Sequence, residues 1–227
     1  MEPWAVDVED AFYIAQTFNG HHIVGSSGIG DAHGWLQLYK VSSGALVKGI
    51  TCSPRSKIAI GDGFILALNN EEVFGGRHAQ VVRIHDEETL SPLQSLAGHG
   101  GDILCLAISK DSQIIVSGGF DCTVRIWKKS GPKFSSFQVL HDTNVICAVA
   151  ISHDSGVLAV GSMDKSIKTF NMANNFSHMQ TLLGHEAHPS ELCFSPRLGY
   201  LCSCSADETI RIWNPTDGRN AMVNVSL

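Results

Sequence analysis

Two sets of side chains in this sequence have the residue types of a serine hydrolase. Each set contains a serine, a histidine and an aspartate, which are the nucleophile, the base and the orienting acid of a catalytic triad. The sets are His99, Ser117 and Asp121, and His185, Ser203 and Asp207. A catalytic triad is needed only once, and it is recognised by geometry and not by residue type. The repetition therefore favours a structural use, and we predict no catalytic residue.

A second cluster has the residue types of a zinc site. Cys193, Cys202 and Cys204 lie close in the sequence to His185 and His188. The C-x2-C spacing typical of structural zinc is missing, and two of the cysteines, at i and i+2, would point to the same face of one strand. Because free cysteine is usually a small buried hydrophobic residue, we predict neither a metal nor a cofactor.

The elements that must position these residues repeat along the chain. His99 and Trp127 lie 28 residues apart, and His185 and Trp213 keep that spacing. A weaker copy lies between them, consisting of His141 and Phe170 at a spacing of 29 residues. Repetition at a fixed period indicates supersecondary units that need their neighbours to bury a core.

Each unit closes on an aromatic or histidine residue. The intervals between these closing residues are 46, 42, 43 and 43 residues, close to the ~40–45-residue period of a propeller blade. Within a unit, short apolar runs bounded by Gly, Ser and Asp predict four β-strands. The closing residues are Tyr39, His85, Trp127, Phe170 and Trp213.

The Gly-His opening, the Asp six residues before Trp and the Arg-Ile-Trp ending resemble the WD-repeat (WD40) family. The resemblance is close from Leu96 to Asn214 and rests on strand rhythm alone from Ala11 to Leu90. It implies an all-β fold, a WD40-type β-propeller of four-stranded antiparallel blades. Five repeats are visible, which leaves either a small closed ring or an incomplete seven-bladed ring, since seven blades need about 300 residues at this period.

The resemblance also implies a role for the repeated polar residues, which should form hydrogen-bonded tetrads that tie the loop before the first strand to the second and third strands. In the fourth unit, Val160 and Phe170 break this chain although His141 and Asp164 are kept, so shape alone should hold that unit. The predicted blades span residues 11–50, 57–96, 99–140, 141–183 and 185–227 of a single domain, 1–227. The tetrads are His99, Ser117, Asp121 and Trp127, and His185, Ser203, Asp207 and Trp213.

Composition excludes several classes of function. The net charge of −6 and the lack of a long Lys/Arg run argue against direct nucleic-acid binding. No apolar segment approaches the ~18 residues of a membrane span, and the first ten residues are acidic where a secretory signal is basic and then apolar. Seven cysteines, an odd count, with several inside predicted strands, point to a reducing compartment, the cytoplasm or the nucleus.

Partner-binding residues are predicted on two surfaces. One is a long polar loop between the second and third strands of the second unit, Asn69 to Gln80, because long loops in compact repeats are often functional. The other is the face that the resemblance implies, where the residue before each motif aspartate is Phe120, Met163 or Ala206; burial of Phe120 and Met163 between blades is the open alternative. The candidates are Phe120, Met163, Asp102, Asp142, Asn144, His188, Phe74, Arg77 and His78, with Glu186 beside them.

These observations predict a non-enzymatic protein–protein interaction scaffold or adaptor that uses a propeller face as its docking platform for other proteins or peptides. One alternative is the substrate-recognition subunit of a ubiquitin ligase, which would need an arginine cluster to bind a phosphorylated motif. The loop arginines, Arg55, Arg77 and Arg197, fall on different sides of the predicted fold. The other alternative is a hydrolase that uses His99, Ser117 and Asp121, against which the repetition argues.

Overall fold

The computed structural model describes residues 11–16, 20–28, 34–53, 57–73 and 77–223. Over these residues the chain consists of twenty strands and their turns, arranged as five four-stranded antiparallel sheets. The predicted all-β class and the four-stranded blades are therefore confirmed. No helix in the described part of the chain has the length and apolar character that crossing a bilayer requires.

The five sheets follow one another along the chain, and we call each of them a blade. Blade 1 comprises β1 (Ala11–Gln16), β2 (His22–Gly28), β3 (Gly34–Lys40) and β4 (Leu46–Cys52). Blade 2 comprises β5 (Ile58–Gly61), β6 (Phe64–Val73), β7 (Arg77–Asp86) and β8 (Pro92–Leu96). Blade 3 comprises β9 (Ile103–Ile108), β10 (Ile114–Gly119), β11 (Thr123–Ser130) and β12 (Lys133–His141). Blade 4 comprises β13 (Ile146–Ile151), β14 (Val157–Ser162), β15 (Ile167–Asn171) and β16 (Ser177–Leu182). Blade 5 comprises β17 (Pro189–Phe194), β18 (Leu201–Ser205), β19 (Ile210–Trp213) and β20 (Asn220–Val223).

The chain divides into two compact units. Unit 1, Met1–Gly98, holds blades 1 and 2, and unit 2, His99–Leu227, holds blades 3, 4 and 5. The core of unit 1 packs apolar residues of both its blades together, among them Val24 and Leu38 of blade 1 and Ile65 of blade 2. The single domain 1–227 and the blade limits given above remain a prediction.

The closing residues of the five units are equivalent in the structure as well as in the sequence. In every blade the register between the third and fourth strands shifts at the closing residue, and one residue of the fourth strand is skipped. In blade 3, for example, Ile126 pairs with Gln138 but Trp127 pairs with Ser136, which skips Phe137. The skipped residues are Val47, Leu93, Phe137, Met179 and Ala221.

The core of unit 2 lies between successive blades. Val116 of blade 3 packs in one cluster with Ile146 and Leu158 of blade 4. On the other side of blade 4, Ala159 packs in a second cluster with Leu192 of blade 5. Both faces of blade 4 are therefore covered, which explains the nearly continuous apolar runs in its first two strands. Each fully buried Leu or Ile contributes roughly 1.5–3 kcal/mol relative to its exposed state.

The prediction of a long loop from Asn69 to Gln80 is wrong. Most of this segment extends strands β6 and β7 into a longer hairpin, in which Asn69 pairs with Val81 and Val73 pairs with Arg77. A strand ladder satisfies the backbone groups of a polar segment as well as water does, so polar composition did not distinguish a long hairpin from a loop.

Candidate functional site

The polar tetrad of blade 3 is a continuous chain of hydrogen bonds. The carboxylate of Asp121 can only accept, so His99 Nδ1–H donates to Asp121 Oδ2 at 2.9 Å. His99 Nε2 then accepts from the Ser117 hydroxyl at 2.8 Å. Ser117 Oγ in turn accepts from Trp127 Nε1–H at 3.1 Å. The chain connects the loop before β9 to strands β10 and β11.

A tight turn after β10 holds the aspartate of this tetrad in place. Asp121 Oδ2 also accepts from the Gly100 amide at 2.8 Å, which fixes the loop before β9. Asp121 Oδ1 accepts from the amide and the hydroxyl of Thr123, at 3.1 and 2.8 Å. Between them, Cys122 has a positive φ of 58°, in the left-handed region that a non-glycine residue enters at some cost. The carboxylate therefore organises two loops at once.

Blade 5 repeats this arrangement. His185 Nδ1–H donates to Asp207 Oδ2 at 2.9 Å, and His185 Nε2 accepts from the Ser203 hydroxyl at 2.7 Å. Trp213 Nε1–H donates to Ser203 Oγ at 2.8 Å. Thr209 caps Asp207 Oδ1 as Thr123 caps its counterpart, with bonds of 3.0 and 2.6 Å from its amide and hydroxyl. The Asp-x-Thr spacing shared by the two turns is the sequence signal for this cap, and it was not among the predicted features.

Each tetrad has the geometry of a catalytic triad, but its serine is not accessible to a substrate. Ser117 and Ser203 are both fully buried, with 0% of their surface exposed. Each hydroxyl donates to a histidine and accepts from a tryptophan, so the tetrad occupies it from both sides. A nucleophile must reach within about 3–3.5 Å of a substrate atom, and nothing outside the core can approach these oxygens. What the arrangement achieves is mechanical, since it joins a loop to two strands of the same sheet.

Burial and hydrogen bonding set the ionisation of the blade 3 tetrad. Burial of the imidazole is the largest influence on His99 and lowers its pKa from the ordinary 6.5, against the opposing effect of the Asp121 carboxylate. For Asp121, burial disfavours the charged form, but hydrogen bonds from Gly100, Thr123 and His99 together outweigh it and lower the pKa from 3.8. The pair is therefore a neutral imidazole that donates to a carboxylate at neutral pH.

Blade 4 departs from the sequence alignment. His141 was predicted to occupy the tetrad position, but it ends strand β12, pairs with Thr123 and is exposed. In blades 3 and 5 the tetrad histidine lies three residues beyond the last leucine of the preceding strand, and the corresponding residue here is Thr143. The loop before the first strand is one residue shorter in blade 4, which allowed two histidines to align in sequence without being equivalent in space.

An ion-pair cluster replaces the tetrad of blade 4. Lys168 Nζ lies 2.6 Å from Asp142 Oδ2 and 3.4 Å from Asp164 Oδ2. Burial is the largest influence on this amine and acts against its charge, but the two carboxylates outweigh it and raise the pKa of Lys168 above 10.5. The prediction that shape alone holds blade 4 is therefore wrong. The lysine that bridges the loop before β13 to the turn after β14 was not found from the sequence.

The residues that precede the motif aspartates are brought to one end of the strands of unit 2. Each directly follows the second strand of its blade, and its amide donates to a carbonyl in the loop before the first strand. Phe120 and Met163 are 52% and 38% exposed, which decides against their burial between blades. The donor–acceptor pairs are Phe120–Asp102 at 2.8 Å, Met163–Val145 at 2.9 Å and Ala206–His188 at 3.1 Å.

We call the set of residues 97–102, 120–123, 142–145, 163–166, 183–188 and 206–209 the aspartate edge. Asp102 and Glu186 are exposed on it. The Asp142 side chain, by contrast, is only 6% exposed and is taken up by Lys168. Asn144 Oδ1 accepts from the Val145 amide, so it supports its own loop. Among the polar residues predicted to contact a partner, Asp102 and Glu186 are therefore the most accessible.

The remaining predicted partner residues belong to unit 1. Phe74 lies outside the described residues, and Arg77 and His78 belong to strand β7 of unit 1, with side chains that also lie outside the description. Arg55 likewise lies outside it. Arg197 follows β17, at the opposite end of the blade 5 strands from Ala206.

The predicted burial of the blade 5 cysteines is wrong, because none of the three is buried. Cys193 is exposed, and Cys202 and Cys204 are partly exposed. Within the described residues, no three His, Cys, Asp or Glu side chains are placed to hold a metal ion together. All seven cysteines are free thiols.

Comparison with known proteins shows which proteins share these repeats. Nuclear distribution protein nudF 1 of Talaromyces marneffei is 35% identical over 125 residues, covering 55% of this chain and 27% of that protein. Actin-interacting protein 1 of Caenorhabditis elegans is 29% identical over 133 residues, covering 54% and 22%. Transcriptional corepressor LEUNIG_HOMOLOG of Arabidopsis thaliana is 30% identical over 113 residues, covering 49% and 14%. The chain thus matches less than a third of the length of each.

A family model described as "WD domain, G-beta repeat" matches residues 90–128, 134–171 and 176–214, together a little over half of the chain. Each match ends just past the closing residue of blade 3, 4 or 5. Together with the four-stranded blades and the tetrads that tie them, this match shows that the chain belongs to the WD40 repeat family.

Proposed function

We propose that this protein is a non-enzymatic adaptor that holds other proteins on the aspartate edge of unit 2. Proteins of the family typically serve as interaction scaffolds. The observation that carries the proposal is the exposure of Phe120 and Met163 on turns whose backbone is fixed by hydrogen bonds to the neighbouring loop. A turn whose backbone is already ordered loses little further conformational entropy on binding, which favours affinity.

The charges around these two side chains indicate the chemistry of a partner. The exposed acidic side chains of the same edge are Asp102, Asp164, Glu186 and Glu208, and they outnumber its exposed base, Lys165. Apolar anchors surrounded by polar residues are typical of binding hot spots. An apolar side chain flanked by Lys or Arg on a partner segment would complement this surface, because opposite potentials steer encounter and fix the register of binding.

The names of two of the relatives are consistent with this proposal. One is named for interaction with actin, and another is named a transcriptional corepressor. The names, together with the seven free thiols, support a place in the cytoplasm or the nucleus, where thiols stay reduced. The phosphate-reading alternative gains no support from Arg197, which lies at the other end of the blade 5 strands. The hydrolase alternative is opposed by the full burial of Ser117 and Ser203.

The test is affinity capture with a double variant, Phe120→Ser with Met163→Ser. Because both side chains are exposed, we expect an unchanged circular-dichroism spectrum and a free energy of unfolding within about 0.5 kcal/mol of the wild type. Loss of two hot-spot residues, each contributing about 2 kcal/mol or more, should reduce partner recovery at least tenfold.

The matched control is Leu198→Ser, which removes an apolar side chain that is 74% exposed at the opposite end of the blade 5 strands. Proteins captured from cytosolic and nuclear extracts are compared by quantitative mass spectrometry. The proposal requires a set of proteins that the control variant retains and the double variant loses. Equal recovery by both folded variants would refute the aspartate edge as the docking surface.

A further inference from the structure

Blade 5 presents a face that carries three thiols. Along β17 and β18 successive side chains alternate between the two faces of the sheet. Leu192 and Leu201 point to the core shared with blade 4. Cys193, Cys202 and Cys204 lie on the other face, where they are exposed or partly exposed.

The same positions in the neighbouring blades cannot be oxidised. Cys193 pairs directly with Cys202 across the first two strands of blade 5. The equivalent pair in blade 4 is Ala150 and Ala159, and both of these are buried, at 7% and 0% exposure. In blade 3 the equivalent pair is likewise apolar, Ala107 opposite Val116. Two thiols thus occupy, on an accessible face, a cross-strand pair that is aliphatic in the other blades of unit 2.

The geometry of this pair suits a disulfide. Two residues further along, the amide of Ser195 donates to the Tyr200 carbonyl at 2.8 Å. Because antiparallel pairs alternate in type, Cys193 and Cys202 also form a hydrogen-bonded pair, with Cα atoms about 5.5 Å apart. That separation lies within the ~4.4–6.8 Å range of disulfides. The Cys193 sulfur is moreover near enough to Cys202 to influence the pKa of its thiol.

We propose that Cys193 and Cys202 are a reversible oxidation site that closes a cross-strand disulfide in the presence of a peroxide. In the first step, the Cys193 thiol attacks hydrogen peroxide and gives a sulfenic acid with release of one water. In the second step, the Cys202 sulfur attacks the Cys193 sulfur, the S–S bond forms, and the sulfenic oxygen leaves as a second water with the two remaining protons. Two thiols are oxidised and one peroxide is reduced, so atoms and electrons balance.

The surroundings assign the order of these steps. Cys193 is the exposed member of the pair, so peroxide reaches it first. Burial, followed by the neighbouring sulfurs of Cys193 and Cys204, raises the pKa of Cys202 to about 11. Cys202 is therefore the weaker nucleophile toward dissolved peroxide. It reacts with the Cys193 sulfenic acid because that sulfur lies directly opposite it on the neighbouring strand. Cys204, one diagonal step away at about 7–8 Å between Cα atoms, is less well placed.

The chain offers a direct readout of the bond. Trypsin cleaves after Lys168, Arg197 and Arg211, which puts Cys193 on peptide 169–197 and both other thiols on peptide 198–211. The reduced protein is treated with hydrogen peroxide, its free thiols are alkylated in acid, and the tryptic digest is analysed by mass spectrometry. We expect a linked species in which the two peptides are joined with the loss of two hydrogen atoms. Dithiothreitol should separate the two peptides again.

Single variants identify the partner. Cys193→Ser and Cys202→Ser should each abolish the linked species, whereas the matched control Cys204→Ser should retain it. Cys122, which is partly exposed and has no cysteine opposite it, should stay alkylated in every sample. Two results would overturn the proposal. One is a linked species that survives in Cys202→Ser, which would assign the bond to Cys204. The other is an unlinked wild-type digest in which Cys193 has advanced to sulfinic or sulfonic acid.

Discussion

Replacing Ser203 by alanine tests the structural role of the tetrads most directly. The hydroxyl accepts from Trp213 Nε1–H at 2.8 Å and donates to His185 Nε2 at 2.7 Å. The serine is fully buried, and the tryptophan and the histidine are 1% and 6% exposed, so water cannot replace the lost partner. Each buried polar group left without a partner costs about 1–3 kcal/mol. We therefore expect Ser203→Ala to lower the free energy of unfolding by about 2–4 kcal/mol.

A loss of that size is easily measured in a chain of 227 residues. At roughly 2–4 °C per kcal/mol for a protein of this size, the Tm should fall by about 5–15 °C in differential scanning calorimetry. Ser190→Ala is the matched control, because Ser190 is exposed on the same blade, and its effect should stay within about 0.5 kcal/mol.

A double-mutant cycle with Trp213→Phe separates hydrogen bonding from packing. Phenylalanine has no N–H, so in its presence the serine substitution leaves one orphaned group fewer and should cost less. The combination imitates blade 4, where Val160 and Phe170 stand at these two positions. A Ser203→Ala variant that unfolds at the wild-type temperature, or a double variant whose cost equals the sum of the single costs, would refute the reasoning.

Two further predictions concern charge. Lys168→Met leaves Asp142, whose side chain is 6% exposed, without its cation. Since the lysine itself is partly exposed, we expect the free energy of unfolding measured in urea to fall by about 1–3 kcal/mol. The control Lys133→Met, at an exposed lysine, should leave the urea midpoint unchanged. For Asp207, burial opposes ionisation but hydrogen bonds from Thr209, the Glu186 amide and His185 lower its pKa. A lowered folded-state pKa adds stability that is present above the ordinary 3.8 and is lost as the pH falls below it. The Tm measured between pH 7 and 3 should therefore drop on the acid side, and less steeply in Asp207→Asn; parallel acid curves for the two proteins would contradict this.

The repeat, the strands and the tetrads could be predicted because they depend on local and periodic signals. The closing residues are separated by nearly constant intervals, and the structure places a register shift at each of them. The polar residues of blades 3 and 5 keep the same spacing, 22 residues from His99 to Asp121 and from His185 to Asp207, and in both blades the hydrogen bonds between these residues are the same. A buried polar group needs its partner at a fixed distance, so the number of residues between the two is constrained and can be recognised in the sequence.

What could not be predicted depends on tertiary context. The match of His141 to the tetrad position failed because one deleted loop residue shifts the spatial register without disturbing the apolar pattern. Lys168 was missed because a charged residue in a strand is usually solvated, and only the fold brings it against Asp142. The exposure of Phe120 could not be decided either, since an apolar residue in a turn packs or protrudes according to how its neighbours approach.

The skipped residue on the fourth strand of each blade has a consequence for behaviour in solution. The fourth strand is an outermost strand of its sheet, with one side unpaired within the blade. Such a strand is a template for the addition of another chain, and Val47, Leu93 and Phe137 present about half of their apolar surface there. A bulge twists the strand and interrupts the even row of amide and carbonyl groups that an incoming strand would need. In blades 1, 2 and 3 the irregularity therefore disfavours pairing with another chain at the position where an exposed apolar side chain would otherwise promote it.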